Sequence, residues 1–194
     1  MKVFLSVLVL IFSLQSWSKA DDIRDFQIEG MSIGDSATDY YSIKNIKSAK
    51  QYNCRNASVT NCEMYWSLMG PKGIYTGNIQ LVFKKNDPKF KIYGIVGTVT
   101  YIDNIEACYT QQKKISLEFD ELFPSAIKKE YEKAHSADKT GKSRNNTIHY
   151  LFQSDDAIYI SCYDWSKKMG YNDHLRIMIR SKEFREWINN KAYK

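Results

Sequence analysis

The sequence predicts an α+β fold in which an antiparallel, meandering sheet packs against helices in a single domain. Segments of strand composition follow one another through short turns, which is typical of antiparallel pairing. Helical periodicity occurs in separate blocks, without the regular alternation of strand and helix that a parallel sheet requires. The chain of 194 residues is long enough to bury the core of one such domain.

The N-terminal part of the predicted domain contains a strand and a helix. Residues 24–28 alternate between polar and apolar side chains, which predicts a short strand. Ser36 and Asp39 have the spacing of a helix capping box, so we expect a helix from Ser36 to about residue 50. Residues 51–73 have the composition of a long loop with one strand inside it.

Strand composition marks most of the remaining predicted sheet. The predicted strands are residues 63–68, 79–83, 90–101, 147–152, 158–163 and 174–179. The Asn-Asp-Pro turn at residues 86–88 joins two of them as a hairpin. Residues 135–146 are polar and are predicted to form a loop.

Helical periodicity predicts three further helical segments. A helix starting near Asn104 carries its apolar residues on one face, namely Ile105, Cys108, Ile115, Phe119 and Leu122. Pro124 ends or kinks this helix, and a second helical piece is expected at residues 128–134. A short helix over residues 182–192 would bury Phe184, Trp187 and Ile188.

The first twenty residues have the layout of a secretory signal peptide. Lys2 precedes an apolar run at residues 3–14, and small residues flank Lys19 before the expected cleavage after Ala20. No later segment approaches the roughly 20 apolar residues of a membrane-spanning helix. We therefore expect residues 21–194 to form an extracytoplasmic chain, periplasmic or secreted, without a transmembrane anchor.

The charge pattern argues against nucleic acid as a partner. Cleavage would remove two lysines and lower the formal net charge from +6 to +4. The remaining basic residues are mostly scattered doublets instead of a continuous stripe, and export removes the chain from nucleic acid. A protein or an envelope component is the expected partner, and the oligomeric state stays open.

Four cysteines remain after cleavage, and their even number predicts disulfides. Four cysteines allow three connectivities. We expect Cys54–Cys62, which would close a polar loop, and Cys108–Cys162, which would join a helix to a strand. A metal site of four thiolates is the alternative, but it lacks any CxxC pair, and we expect neither a metal nor another cofactor.

Two serines near the N-terminus are candidate nucleophiles. Ser32 lies in a Gly-x-Ser-x-Gly sequence, the pattern of the nucleophile elbow, but the strand before it alternates instead of being continuously apolar. Ser36 lies in a Gly-Asp-Ser sequence that resembles the first block of GDSL-type hydrolases, and this resemblance implies Ser36 as the nucleophile. Such enzymes place an aspartate three residues before the catalytic histidine, whereas Asp173 directly precedes His174. A turn and a helix cap explain Ser32 and Ser36 more simply than catalysis does.

The polar segment S-A-D-K-T-G-K-S at residues 136–143 differs by one residue from a phosphate-binding loop. It lacks the first glycine and no strand precedes it, so we interpret it as an exposed basic loop that contacts an anion through Lys139, Lys142 and Arg144. The chain has three histidines, and none of them has metal-ligand spacing.

The most distinctive segment is a predicted strand, turn and strand at residues 162–174. Tyr163, Trp165, Tyr171 and His174 lie within it, together with acidic residues and lysines. Aromatic side chains in such connections commonly serve recognition. The sequence favours an aromatic-stabilised turn slightly, and these four residues are the candidate binding face if the segment serves recognition.

Four strings carry a resemblance to a group of small exported bacterial proteins without an established function: I-E-G-M-S-I-G-D-S (28–36), K-F-K-I-Y-G-I-V-G (89–97), N-I-E-A-C (104–108) and C-Y-D-W-S-K-K-M-G-Y-N-D-H-L-R (162–176). The first string is also distantly similar to the start of β-lactamase-inhibitor-like and outer-membrane-assembly lipoprotein domains. The chain lacks the acylated cysteine of such lipoproteins.

The resemblance implies binding or assembly instead of catalysis, and it supplies no catalytic residues. No complete catalytic set is present in the sequence either. We therefore expect a non-catalytic binding or envelope-associated module. The alternative is a small extracytoplasmic serine hydrolase that uses Ser36 or Ser32.

Overall fold

The computed structural model describes residues 22–52, 64–70 and 79–192. These ranges contain an eight-stranded antiparallel sheet together with α-helices, so the prediction of an α+β fold is confirmed. The strands are β1 Lys50–Tyr52, β2 Met64–Met69, β3 Ile79–Lys84, β4 Gly94–Tyr101, β5 Ile127–Ala134, β6 Arg144–Leu151, β7 Ala157–Asp164 and β8 Asp173–Arg180. The helices are α1 Ile43–Ser48, α2 Ile105–Leu122 and α3 Lys182–Asn190. That residues 21–194 form one domain stays a prediction.

The sheet consists of two meanders joined side by side, in the order β1-β2-β3-β4-β8-β7-β6-β5. The prediction of one simple meander is therefore wrong. Helix α2 carries the chain from β4 to the far edge of the sheet, and the second meander then returns until β8 pairs with β4. Every neighbouring pair of strands is antiparallel.

Helix α2 packs on one face of the sheet and forms the main core. Asn104 caps its N-terminus by accepting a hydrogen bond from the backbone N–H of Ala107 at 3.2 Å. The helix buries Cys108, Ile115 and Phe119 against alternate residues of β7 and β8, which are Ile158, Ile160, Cys162, Leu175, Ile177 and Ile179. Because side chains alternate along a strand, the residues between them project from the opposite face.

A disulfide joins α2 to this sheet. The sulfurs of Cys108 and Cys162 are 1.97 Å apart, and their Cα atoms are 6.0 Å apart, so the predicted Cys108–Cys162 pair is confirmed. The predicted Cys54–Cys62 pair lies outside the described residues.

Helix α3 packs on the opposite face of the sheet, over the first meander. Phe184 and Trp187 of α3 form a second core with residues that include Met64, Val82 and Tyr93. Gly94 allows this close approach, because a Cβ atom there would lie 2.8 Å from Cδ1 of Phe184. The predicted C-terminal helix is thus present and covers this part of the sheet.

The predictions for one strand and two helices were wrong. Residues 24–28 do not form a strand: Ile23–Asp25 is a 3₁₀ turn that Asp22 caps. The helix predicted from Ser36 is divided into a 3₁₀ turn, Ala37–Asp39, and α1, because Ser42 caps a new helix by accepting from the backbone N–H of Asn45. Residues 128–134 form β5 and not a helix, since all eight residues of β5 pair with β6.

Among the described helices, none combines the length and the apolar composition needed to cross a membrane.

Candidate binding surface

The second meander leaves a concave surface on the side of the sheet away from α2, here called the open face. The concavity has a volume of about 140 Å³. All four strands of the meander line it, through Tyr131, Lys133, Asn145, Thr147, Tyr159, Ser161, Tyr163, Arg176, Met178 and Arg180. On β7 and β8 these residues alternate with the core residues described above. Tyr131 and Thr147 lie in register with Ser161 and Arg176, so the lining residues of β5 and β6 lie on the same face.

Two arginines of β8 supply most of the charge on the open face. The guanidinium group of Arg180 lies 4.4 Å from the ring centroid of Tyr159, and its Nε donates to the sulfur of Met178. Arg176 donates to the side-chain oxygen of Gln80 at 3.3 Å and lies over the ring of Trp66. Burial lowers the pKa of Arg180, although an arginine remains charged at any physiological pH.

Hydrogen bonds fix the polar side chains at the centre of the open face. The Thr147 hydroxyl donates to Oδ1 of Asn145 at 2.8 Å, so it accepts from the Ser161 hydroxyl in their contact of 2.9 Å. The hydrogen bond from Thr147 occupies Oδ1 of Asn145 and leaves the amide N–H groups of Asn145 as donors. Burial raises the pKa of Tyr131, whose phenol therefore also stays protonated at neutral pH.

An aromatic cluster lies at the end of the open face, where β7 and β8 are connected. It consists of His135, Tyr163, Trp165, Tyr171 and His174, so the four aromatic residues predicted as the binding face lie together with one more. Ring centroids are 4.7 Å apart for Tyr163 and His174, and 4.8 Å apart for Trp165 and Tyr171. Tyr163 also lines the concavity, so the cluster continues the open face.

The environment of the cluster combines rigidity with one unused donor. Asp173 accepts from the backbone N–H of Trp165 at 2.7 Å, which fixes the connection between the strands. The indole N–H of Trp165 is buried and has no hydrogen-bond partner among the described groups. Burial lowers the pKa of His174, so this ring is mainly neutral at pH 7. Tyr171 is 60% exposed and offers its ring to a partner.

The loop that resembled a phosphate-binding loop is filled by its own carboxylate. Asp138 accepts from the backbone N–H and the hydroxyl of Thr140, from the same two groups of Ser143, and from the Ser166 hydroxyl. These bonds, led by the one from Ser143, hold the pKa of Asp138 far below its usual value. An anion in the loop would meet this carboxylate.

The three basic residues predicted for this loop differ in their surroundings. Lys139 and Lys142 are exposed on its outer side. Arg144 donates from Nε to Glu132 at 2.7 Å, so its charge is already paired. The loop is therefore a structural connection with two exposed lysines, and it lies next to the aromatic cluster through His135.

The two candidate nucleophilic serines make contacts typical of structural residues. The Ser32 side chain is buried, and its hydroxyl lies 2.6 and 2.8 Å from the backbone carbonyl oxygens of Arg24 and Phe26. Ser36 donates to the carbonyl of Lys89 at 2.6 Å and caps a 3₁₀ turn. Neither hydroxyl is hydrogen-bonded to a histidine in the described part of the chain, so these contacts give the hydrolase alternative no support.

No group of three or more His, Cys, Asp or Glu side chains is placed to hold a metal ion within residues 22–52, 64–70 and 79–192.

The sequence interpretation missed the strand residues of the open face. Tyr159 and Arg176 were assigned only to strands, without a role, and Arg180 was left just beyond the last predicted strand. Their signal was present as period-two alternation, because polar or aromatic residues occupy most of the alternate positions of β7 and β8, with Met178 among the exceptions. Sequence alone does not reveal which face of a sheet stays uncovered, so the signal could not be assigned to binding.

Comparison of the chain with models of protein families, with curated proteins and with solved structures gave no match.

Proposed function

We propose that this chain is an exported, non-catalytic binding module that recognises a protein or another envelope component through its open face and aromatic cluster. The observation that carries this proposal is the continuity of the two surfaces through Tyr163. The combined surface offers tyrosine, tryptophan and arginine side chains, which are the residue types enriched at the centres of protein interfaces.

The exposed aromatic rings favour recognition over a purely structural role. A ring that only stabilised the β7–β8 connection would be buried by its neighbours, whereas more than half of Tyr171 is exposed. The buried indole N–H of Trp165 lacks a described acceptor, which is costly unless a bound partner or water satisfies it. Both features fit a surface that is completed by a partner.

A crosslinking pull-down from the native cell envelope tests the proposal. The bait is the chain from residue 21, as wild type and with Trp165→Ala and Tyr171→Ala combined. We expect the double variant to lose a partner that the wild type captures, because loss of buried aromatic anchors commonly costs about 2 kcal/mol or more each. Near-ultraviolet circular dichroism and thermal unfolding establish that both baits are folded.

The matched control is Leu117→Ala. Leu117 is 58% exposed on α2, which lies on the other side of the sheet. This variant should capture the same partner as wild type. Equal capture by wild type and by the double aromatic variant would contradict the proposed surface.

Labelling with a fluorophosphonate tests the non-catalytic part of the proposal. The contacts of Ser32 and Ser36 with backbone carbonyls provide no base to activate either hydroxyl. We expect no covalent adduct on the folded chain. An adduct that disappears in Ser36→Ala or Ser32→Ala would favour the hydrolase alternative instead.

A further inference from the structure

The concavity of the open face has the size of a site for one small group. Its volume of about 140 Å³ is below the roughly 300–1,000 Å³ of pockets that enclose whole cofactors or drug-sized ligands. A ligand that enters it must therefore be small, or must insert one group and leave the rest outside.

The residues that line the concavity are cationic without any acidic counterpart. Lys133, Arg176 and Arg180 contribute three positive charges, and the other seven lining residues include no carboxylate. None of these three cations takes part in an ion pair within the described part of the chain. Their described contacts are instead with aromatic rings, an amide oxygen and a thioether.

This arrangement is unfavourable without a ligand. Burial is the largest cause that lowers the pKa of Arg180. Neighbouring Tyr159 acts in the opposite direction, and the positive charge of Arg176 lowers the pKa, so the two guanidinium groups repel each other. Elsewhere on β5, Lys128 is paired with Asp120 at 2.8 Å, which shows that the chain neutralises other strand cations with its own acids. An anion in the concavity would offset both the burial and the repulsion.

We propose that the concavity binds a phosphate group, with Arg176, Arg180 and Lys133 as its cationic ligands. A carboxylate has one negative charge and would leave two of the three cations unmatched, whereas a phosphate monoester carries about −1.5 to −2 at pH 7. Guanidinium groups bind phosphate oxygens through paired N–H donors, and the amide of Asn145 adds a neutral donor. The inference rests on the proposed function only in using the open face as the binding surface.

Titration with inorganic phosphate tests the site directly. Residues 21–194 are titrated by calorimetry and by intrinsic tryptophan fluorescence, against sodium chloride at equal ionic strength. We expect saturable binding of phosphate that weakens about tenfold or more in Arg176→Gln and in Arg180→Gln, because each substitution removes the charged donors of a guanidinium group. Arg180→Lys should retain part of the affinity.

Lys113→Gln is the matched control, since it removes one positive charge from an exposed position of α2, on the other side of the sheet. Its affinity for phosphate should stay within about twofold of wild type, because solvent and salt screen distant charges. If Arg180→Gln fails to fold, Arg176→Gln and Lys133→Gln decide the outcome.

A second arm distinguishes free phosphate from a lipid headgroup. Flotation with phosphatidylglycerol vesicles, compared with phosphatidylcholine vesicles, reports a phosphate that is presented on a membrane. Binding that depends on Arg176 in either arm supports the site, and the arm in which it occurs identifies the source. The proposal is overturned if neither arm shows binding, or if Lys113→Gln loses as much affinity as the arginine variants.

The same variants separate this proposal from the proposed function. The aromatic variant, Trp165→Ala with Tyr171→Ala, removes no cation from the concavity and should bind phosphate like wild type. Partner capture by the wild type without phosphate binding would contradict the phosphate site alone, and phosphate binding by the wild type without any captured partner would contradict the proposed function alone.

Discussion

Tyr163 has two roles on the open face, because its ring stacks on His174 and its side chain lines the cationic concavity. His149 and Tyr159 form a second stacked pair nearby, with centroids 4.5 Å apart and planes inclined by 2°. The positive charges of Lys129, Arg180 and Arg185 act on His149 and disfavour the protonation of its ring. Burial lowers the pKa of both His149 and His174, so both rings are mainly neutral at pH 7.

The pH dependence of stability follows from His149. Burial first, and then the neighbouring cations, lower its pKa from 6.5 to about 4. The unfolded chain binds a proton at His149 below pH 6.5, whereas the folded chain does not until about pH 4. Stability from this group is therefore present at neutral pH and is lost as the pH falls from about 6.5 to about 4.

We expect His149→Phe to reduce this loss while keeping a ring on Tyr159. The measurement is the thermal midpoint at pH 7.5 and at pH 4.5 for both chains. The difference between the two midpoints should be smaller in the variant, although His174 maintains some dependence in the same direction. An unchanged difference would show that His149 is protonated in the folded state.

At the level of elements, the sequence predicted those helices and strands that bury one face and expose the other. Helix α2 and strands β7 and β8 were predicted because apolar residues recur with the periods of a helix and of a strand. Strand β5 was predicted as a helix because lysine, glutamate and alanine favour helices and all eight of its residues are exposed. Its pairing with β6 is a tertiary effect that local composition does not contain.

Of the candidate site, the aromatic cluster could be predicted from the sequence, whereas the concavity could not. Tyr163, Trp165, Tyr171 and His174 are close in the chain on either side of one turn, so their proximity is local and could be inferred. The concavity also needs Tyr131 and Lys133 of β5, which reach it only because α2 takes the chain across the sheet. The position of the second meander depends on the pairing of β8 with β4, which are far apart in the chain, so local sequence does not indicate it.

The contact between α3 and β4 has a steric requirement at one residue. In Gly94→Ala, the new Cβ would lie 2.8 Å from Cδ1 of Phe184 and 3.2 Å from the carbonyl oxygen of Ile179. We expect the free energy of unfolding to fall by about 1–3 kcal/mol, the usual cost of overpacking. Urea denaturation measures this change.

Gly70→Ala is the matched control for the same substitution, because no atom of the described residues, apart from its chain neighbours, lies within 4 Å of the position that its Cβ would occupy. We expect its free energy of unfolding to change by less than about 0.5 kcal/mol. Shortening Phe184 to leucine should restore part of the stability of Gly94→Ala, since the ring is the group that clashes. Equal destabilisation by the two alanine variants would contradict the steric explanation.

Across the whole molecule, the disulfide connects the crossover helix to the second meander. Cys108 and Cys162 are separated by 54 positions in the chain, and the closed loop includes most of α2, β5 and β6. The bond therefore restricts the unfolded chain over a large segment. Its position at the centre of the main core places both sulfurs away from solvent.

We expect Cys108→Ala combined with Cys162→Ala to lower the free energy of unfolding by about 2–5 kcal/mol, the range for loss of a native disulfide. Urea denaturation without reductant measures the loss. Alkylation of the unfolded, unreduced wild type should leave both cysteines unlabelled, and reduction should expose them. Labelling of Cys108 and Cys162 before reduction would exclude the bond.

The pairing of β4 with β8 has a consequence for the order of events during folding. Strands within each meander are neighbours in the chain, so their hairpins close short loops and form quickly. The pairing of β4 with β8 aligns Gly94 with Arg180, so its formation must bring together residues from distant parts of the chain. A polypeptide emerges from the ribosome N-terminus first, and β8 is the last strand among the described residues. The first meander must therefore wait with β4 as an unpaired edge until almost the entire polypeptide has been released.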